Sequence, residues 1–236
     1  MQKILLFLIV IVQSTIFAAN TPVGVIITTE GTVKGVASDN VERELKRGDL
    51  FYASETVVCE DGSKAQLKFS DGGLVNLIPS TEFRVDSYSF KNPNKADHSL
   101  MSLVKGGFRL ISGSIATTNP LGVSIQTPVA TIGLRGTILE VNIVKGQMYC
   151  SCLQGTVEVS NSQGSVLIGE GMDRFASILK NRKPAAQSTQ PSPLSRANFK
   201  PPEGAKNFEG RSGTRAGGAL VPPGHMQITP KEGHCP

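Results

Sequence analysis

Histidine is nearly absent from this chain. Of three in 236 residues only His98 precedes the C-terminal region, and it lies in the polar stretch 91–99. A Ser/His/Asp relay would therefore have to be assembled on a loop, and the plainer reading of His98 is a solvated side chain. His225, His234 and Cys235 fall close together but lack the spacing of a structural zinc site, which argues against specific metal ligation. Gly169 and Gly171 lack the third glycine and the strand-to-helix setting of a dinucleotide loop, so no phosphate cradle is present either. These shortages leave no catalytic residue, no metal site and no cofactor to expect. Helical periodicity is also scarce, and there is one long apolar run, at 4–12.

That run follows Lys3 and gives way to a polar break at Gln13, Ser14 and Thr15 and to small residues at Ala18 and Ala19. It is shorter than the ~20 residues a membrane-crossing helix needs and reads as a secretory signal peptide over residues 1–19. No cysteine in this segment marks a lipid attachment site, so the expected product is an exported chain in the periplasm that does not span the membrane after cleavage. From Lys180 onward there are nine basic residues against three acidic ones, and nine of the fourteen prolines. Composition makes 180–236 a disordered basic Pro/Gly-rich tail, and the domain is expected to fold without residues 185–236. Because the tail carries the chain's excess positive charge, residues 1–179 are close to neutral, which excludes nucleic acid as a partner on grounds of charge.

Between these ends, residues 23–179 form a series of short runs alternating apolar and polar residues. Among them are 23–28, 64–69, 74–78, 83–88, 99–104, 123–127, 137–144, 148–153 and 156–159. Glycine-containing breaks separate them at Gly31, Gly62, Asp71–Gly72–Gly73, Gly106–Gly107, Gly146 and Gly164. Strands at roughly 8 to 12 residue spacing with such breaks predict an all-β domain, a sandwich or a solenoid-like roll. Asp71–Gly72 suits a type I′ hairpin. Gly-Thr pairs at Gly31, Gly136 and Gly155 each open an apolar run and hint at rolled geometry.

The densest stretch is 124–141, SIQTPVATIGLRGTILEV, where Pro128, Gly133 and Gly136 shape a corner between two alternating runs. The candidate binding residues are Arg135 in that corner, its neighbours Thr127 and Gly136, and Arg109 after Gly106–Gly107–Phe108. An arginine between glycines can present its fork to a carboxylate or phosphate. The favoured reading is internal pairing with Asp71, Glu140 or Asp49, in which case Arg135→Ala should destabilise by ~3–5 kcal/mol. Tyr52, Tyr88 and Phe90 could stack on a sugar, but aromatics at strand edges are more often core or cross-strand partners.

Several of these residues resemble the FecR domain family. They are Arg47–Gly48–Asp49; Ala65, Leu67 and Phe69 running into Asp71–Gly72–Gly73; Leu77, Pro79 and Thr81; Gly107–Phe108–Arg109; Thr127–Pro128, Ala130, Gly133, Arg135–Gly136–Thr137; and Gly155–Thr156–Val157. The resemblance covers about residues 30–170. It implies an all-β periplasmic domain without catalytic residues, best known in regulators relaying an iron-transport signal from an outer-membrane receptor to a sigma factor. Those regulators carry a cytoplasmic segment before a membrane helix, whereas only residues 1–3 precede the apolar run here. The expectation is thus a stand-alone, non-catalytic binding module that contacts a protein partner in the cell envelope. A peptidoglycan or polysaccharide module is the alternative, with transmembrane iron signalling behind both.

Export places Cys59, Cys150, Cys152 and Cys235 in an oxidising compartment. Alternation puts Cys150 and Cys152 on one face, too poorly placed to bond each other without straining the strand. The resemblance implies inward positions at Cys59 and at the strand carrying the other two. One bridge from Cys59 to Cys150 or Cys152 then stands level with three buried thiols. Cys235 should stay accessible.

Overall fold

A computed structural model describes residues 22–91 and 96–205. Residues 1–19, read as a signal peptide, lie outside them, as do His225, His234, Cys235 and the rest of 206–236. The described chain is all-β apart from two one-turn helices. Its strands in order are β1 (Pro22–Glu30), β2 (Val33–Val36), β3 (Glu42–Glu44), β4 (Leu50–Tyr52), β5 (Thr56–Cys59), β6 (Lys64–Phe69), β7 (Leu74–Leu77), β8 (Thr81–Ser89), β9 (His98–Ile111), β10 (Val123–Gln126), β11 (Thr131–Val144), β12 (Gln147–Asn161), β13 (Gly164–Gly169), β14 (Phe175–Ile178) and β15 (Ala185–Gln187). Helix α1 (Ser114–Thr118) precedes β10 and α2 (Ser192–Arg196) follows β15.

All strands belong to one hydrogen-bonded sheet, and three long strands fold it into two layers. In β9, residues 98–105 pair with β8 and, in the one parallel pairing, with β10, while residues 106–111 pair with β7 and β11. Strand β11 changes partners between Arg135 and Ile138, and β12 does so at the same level. Layer one therefore runs β4, β1, β6, β7, then the second half of β9, the second half of β11, the first half of β12, β14 and β15. Layer two runs β3, β2, β5, β8, then the first half of β9, β10, the first half of β11, the second half of β12 and β13.

The crossing points are glycines with positive φ: Gly106 at 78°, Gly136 at 62° and Gly155 at 80°. A bulged residue in that region bends a strand out of its layer, and L side chains resist it. The break at Gly106–Gly107 and the Gly-Thr steps at Gly136 and Gly155 are thus corners inside continuous strands, not turns between separate ones. Gly31, with φ 72°, makes the equivalent step from β1 to β2. The type I′ expectation moves as well. At the β6–β7 loop only Gly72 has positive φ, whereas Lys145 and Gly146 both do (50° and 76°), so that turn joins β11 to β12.

Inward residues of the two layers form one core. Ala65, Leu77, Phe108, Val141, Cys150 and Ala176 line one register row of layer one, each 1% exposed or less. Phe108 meets Phe83 of layer two edge-on at 5.6 Å, and Phe69 meets Tyr88 at 5.7 Å, so aromatic contacts tie the layers together.

Two expectations need correction. The bridge from Cys59 is not formed: Cys59 on β5 pairs between β2 and β8, Cys150 and Cys152 lie on β12 beside β11 and β14, and all three are free, buried thiols. They act as small core hydrophobes. Burial pushes the Cys59 and Cys150 thiols up to about 12 and Cys152 to about 11, so almost no thiolate exists at pH 8. In the native protein none of the three should react with iodoacetamide, and all three should react in guanidinium. Peptide mapping without reductant checks this, and a disulfide-linked peptide pair would contradict it.

The second correction concerns the boundary at 179/180. Residues 180–205 are placed on the domain: Ala185–Gln187 extends layer one by pairing with β14, and Leu194 and Phe199 are buried. Prolines and polar residues hide two isolated anchors that no periodicity reveals, and the sheet face supplies what they pack against.

Candidate functional site

The outer face of layer one carries a polar row at one register level. Thr28 (β1) lies opposite Gln66 (β6), Gln66 opposite Asn76 (β7), Asn76 opposite Arg109 (β9), Arg109 opposite Glu140 (β11), and Glu140 opposite Ser151 (β12). Alternation explains the row from Gln66 to Ser151, since each of those residues is flanked by inward apolar neighbours such as Ala65 and Leu67, or Leu139 and Val141. A register shift between Ile26 and Thr28 turns Thr28 onto this face. The burial is what alternation cannot explain. Gln66 and Ser151 are 0% exposed and Asn76 is 4% exposed, although they point away from the core.

Residues 188–205 lie on this face as a strap that runs from β15, past β11 and β12, to β1. Leu194 and Phe199 pack with Ile78, Tyr149 and Phe175 in a small second apolar cluster. Asn142 Nδ2 donates to the Pro193 carbonyl at 3.1 Å, and Thr28 Oγ1 donates to the Glu203 carbonyl at 3.1 Å at the far end. Within the row, Gln66 Nε2 donates to Asn76 Oδ1 at 2.9 Å and Ser151 Oγ to Glu140 Oε2 at 3.2 Å. Arg109 Nη1 reaches Glu140 Oε1 at 3.5 Å, its side chain 35% exposed against 10% for the glutamate.

Burial holds the Glu140 carboxyl above the usual glutamate range; Arg109 and Ser151 pull it back only in part. A carboxyl raised on folding contributes stability that is fully present below its unfolded pKa and is lost as pH rises through its folded pKa. Removing Arg109 raises Glu140 further and widens that window. Arg109→Ala should therefore cost about 1–2 kcal/mol at pH 7.5, allowing for solvent screening of the guanidinium, and progressively less toward pH 4. Urea titrations of variant and parent at both pH values measure it. A cost independent of pH would show that Arg109 acts by packing alone.

Of the candidate binding residues only Arg109 joins this row, and its partner is Glu140, one of the three carboxylates considered for Arg135. Arg135 is exposed on β11 just before the corner and makes no ion pair among the described residues. The three carboxylates proposed for it are otherwise engaged: Glu140 by Arg109, Asp71 by the amides of Gly73 and Ile115, and Asp49 by the Lys46 amide. Arg135→Ala should accordingly change stability by no more than ~0.5 kcal/mol, the range of surface substitutions, and thermal melting decides it. Gly136 is the corner itself, with open space where a Cβ would stand. Thr127 closes the β10–β11 turn, its Oγ1 accepting from the Ala130 amide at 3.0 Å and donating to the Ala130 carbonyl at 2.8 Å. Arg135, Gly136 and Thr127 belong to layer two and its corner, so the four residues do not converge.

His98 is the first residue of β9; its Nε2 lies 2.9 Å from Ser87 Oγ and its Nδ1 3.2 Å from the Ala96 carbonyl. The aromatics do not share a surface. Tyr88 leans on Phe69 and accepts from the Asp71 amide, Phe90 packs on the core, and Tyr52 lies under the Arg43 guanidinium at 5.6 Å. Sequence reasoning missed Gln66, Asn76, Glu140 and Ser151 as a group; their signal is a set of amides and hydroxyls, in place of lysines, at outward positions. It also missed Arg84 and Asp86, paired two apart on β8 in a cleft of about 390 Å³ and closed further by a 2.6 Å bond from Ser102 to Asp86. Among the described residues no acidic, histidine or cysteine cluster could hold a metal ion, and no helix is long and apolar enough to cross a membrane.

The FecR protein family profile matches residues 55–158, so the chain carries a FecR domain. Two crystal structures of a protein provisionally assigned as an anti-sigma factor from Parabacteroides distasonis, at 2.50 and 1.65 Å, are similar to it at 16% identity and a TM-score of 0.47. The similarity covers 59% of this chain and spans 62% of theirs. No functionally curated protein matches.

Proposed function

We propose that this FecR-domain chain is a non-catalytic regulatory binding module, exported to the periplasm, that contacts a protein partner in the cell envelope. The FecR match over 55–158 supports the regulatory reading. The observation that carries the binding reading is Arg135, an exposed arginine beside the glycine corner with no ion-pair partner of its own among the described residues. Its fork is free to take a carboxylate of a partner, and the bare Gly136 lets that partner's backbone approach. Export rests on the apolar run at 4–12 and the small residues Ala18 and Ala19.

A photo-crosslinking residue at position 135, introduced in cells, tests contact and export together. The expected result is one crosslinked envelope protein and a chain whose intact mass starts after Ala18 or Ala19. An uncleaved chain held in the inner membrane would restore transmembrane signalling. Retention by purified cell wall stripped of protein, without a crosslinked partner, would replace the reading with glycan binding.

A further inference from the structure

We infer that the outer face of layer one is a groove for a proline-containing peptide of a partner protein that carries a single helical turn, and that the chain's own strap occupies it in cis. This rests on the reading of the chain as a protein-binding module. Three features of the strap point to a displaceable ligand and not to a permanent part of the sheet.

First, the strap is recognised as a peptide is. Thr28 and Asn142 donate to main-chain carbonyls, at Glu203 and Pro193, and Leu194 and Phe199 are its two buried apolar anchors. Carbonyl contacts hold a chain whatever its side chains, whereas two apolar anchors, Leu194 in the turn α2 and Phe199 five positions on, select a sequence. Second, no main-chain hydrogen bond joins 188–205 to either layer among the described residues; its amides bond within the strap, as Leu194 and Ser195 do to the Pro191 carbonyl. The strap can lift as one local unit without breaking a β-ladder. Third, Ser188, Thr189 and Gln190, which join it to β15, are exposed and can serve as the hinge. Lifting the strap frees the Thr28 hydroxyl and the Asn142 amide, the two donors it now occupies, for an incoming backbone.

Tethering gives the strap an effective concentration of order millimolar, so the intact chain should bind a free competitor weakly. The probe is a fluorescent synthetic peptide of residues 190–205, added to the full chain and to its Leu194→Ala/Phe199→Ala variant. Anisotropy should show at least ~10-fold tighter binding to the variant, because its own strap no longer holds the groove. A peptide with both anchors changed to alanine should bind neither.

If the variant does not fold, a site-specific protease sequence placed at 188–190 of the full chain gives a nicked protein. Its C-terminal fragment should stay bound and exchange with the labelled peptide. A folded variant that binds no peptide, or a nicked chain whose fragment does not exchange, overturns the inference. So does exchange of straps between copies, seen as a dimer on size exclusion, because the occupant is then this chain and not a partner. The two readings fail separately: peptide binding without a crosslinked envelope protein sinks the proposed function and leaves the groove. A crosslinked partner without peptide binding does the reverse.

Discussion

A chain ended after Lys183 should melt on the order of 10 °C below a chain ended after Ala205. The longer chain keeps β15 and the strap, and the shorter one loses both. Leu194 is 1% and Phe199 7% exposed, and burying such side chains is worth ~1.5–3 kcal/mol each, so the pair contributes about 3–6 kcal/mol. For a domain of this size ~1 kcal/mol corresponds to ~2–4 °C in melting temperature. The loss falls on Ile78, Tyr149 and Phe175, which keep their places in the sheet but lose their cover. Differential scanning calorimetry of the two chains measures the difference. Equal melting temperatures would mean that the strap rests on layer one without stabilising it, and the composition-based boundary at 179/180 would then stand for stability if not for position.

The strap also marks where sequence reasoning reaches its limit. The strands were legible because layer one and layer two each bury one face, and that burial leaves a period of two in Ala65, Leu67 and Phe69 or in Leu139 and Val141. The strap has no period. Its two anchors are separated by Ser195, Arg196, Ala197 and Asn198, and it lies among the prolines that composition assigns to disorder. Arg135 failed for a related reason. Its flanking glycines announce an unusual backbone, which is present, but whether a charge on that backbone faces the core or water depends on which way the strand turns at Gly136. Pairing partners 31 residues apart, such as Arg109 and Glu140, become visible only once the register is known.

The corner at Gly136 was legible in the sequence, whereas Gly106 and Gly155 were legible only as glycines, and the cost of such corners can be separated into two parts. Gly155→Ala should destabilise the domain well beyond Gly136→Ala, although both glycines have similar positive φ, 80° and 62°. A Cβ at Gly136 meets nothing within 4 Å, so alanine there costs only the strained backbone, ~1–2 kcal/mol. At Gly155 the added carbon would stand 2.4 Å from the Gly136 carbonyl oxygen and 3.1 Å from the Thr137 methyl. The first obstacle is backbone, which cannot swing aside as a side chain would. Relief requires β11 and β12 to separate where both change layers, and the same shift would reach Gly169, whose own Cβ position lies 2.3 Å from the Gly155 carbonyl oxygen. A rearrangement on that scale adds several kcal/mol, because overpacking against main chain costs ~1–3 kcal/mol or more on top of the φ strain. Urea denaturation of the two variants gives the comparison directly. Equal losses would show that the strands already flex at this level and that positive φ, not the close approach of three strands, is what requires glycine at position 155.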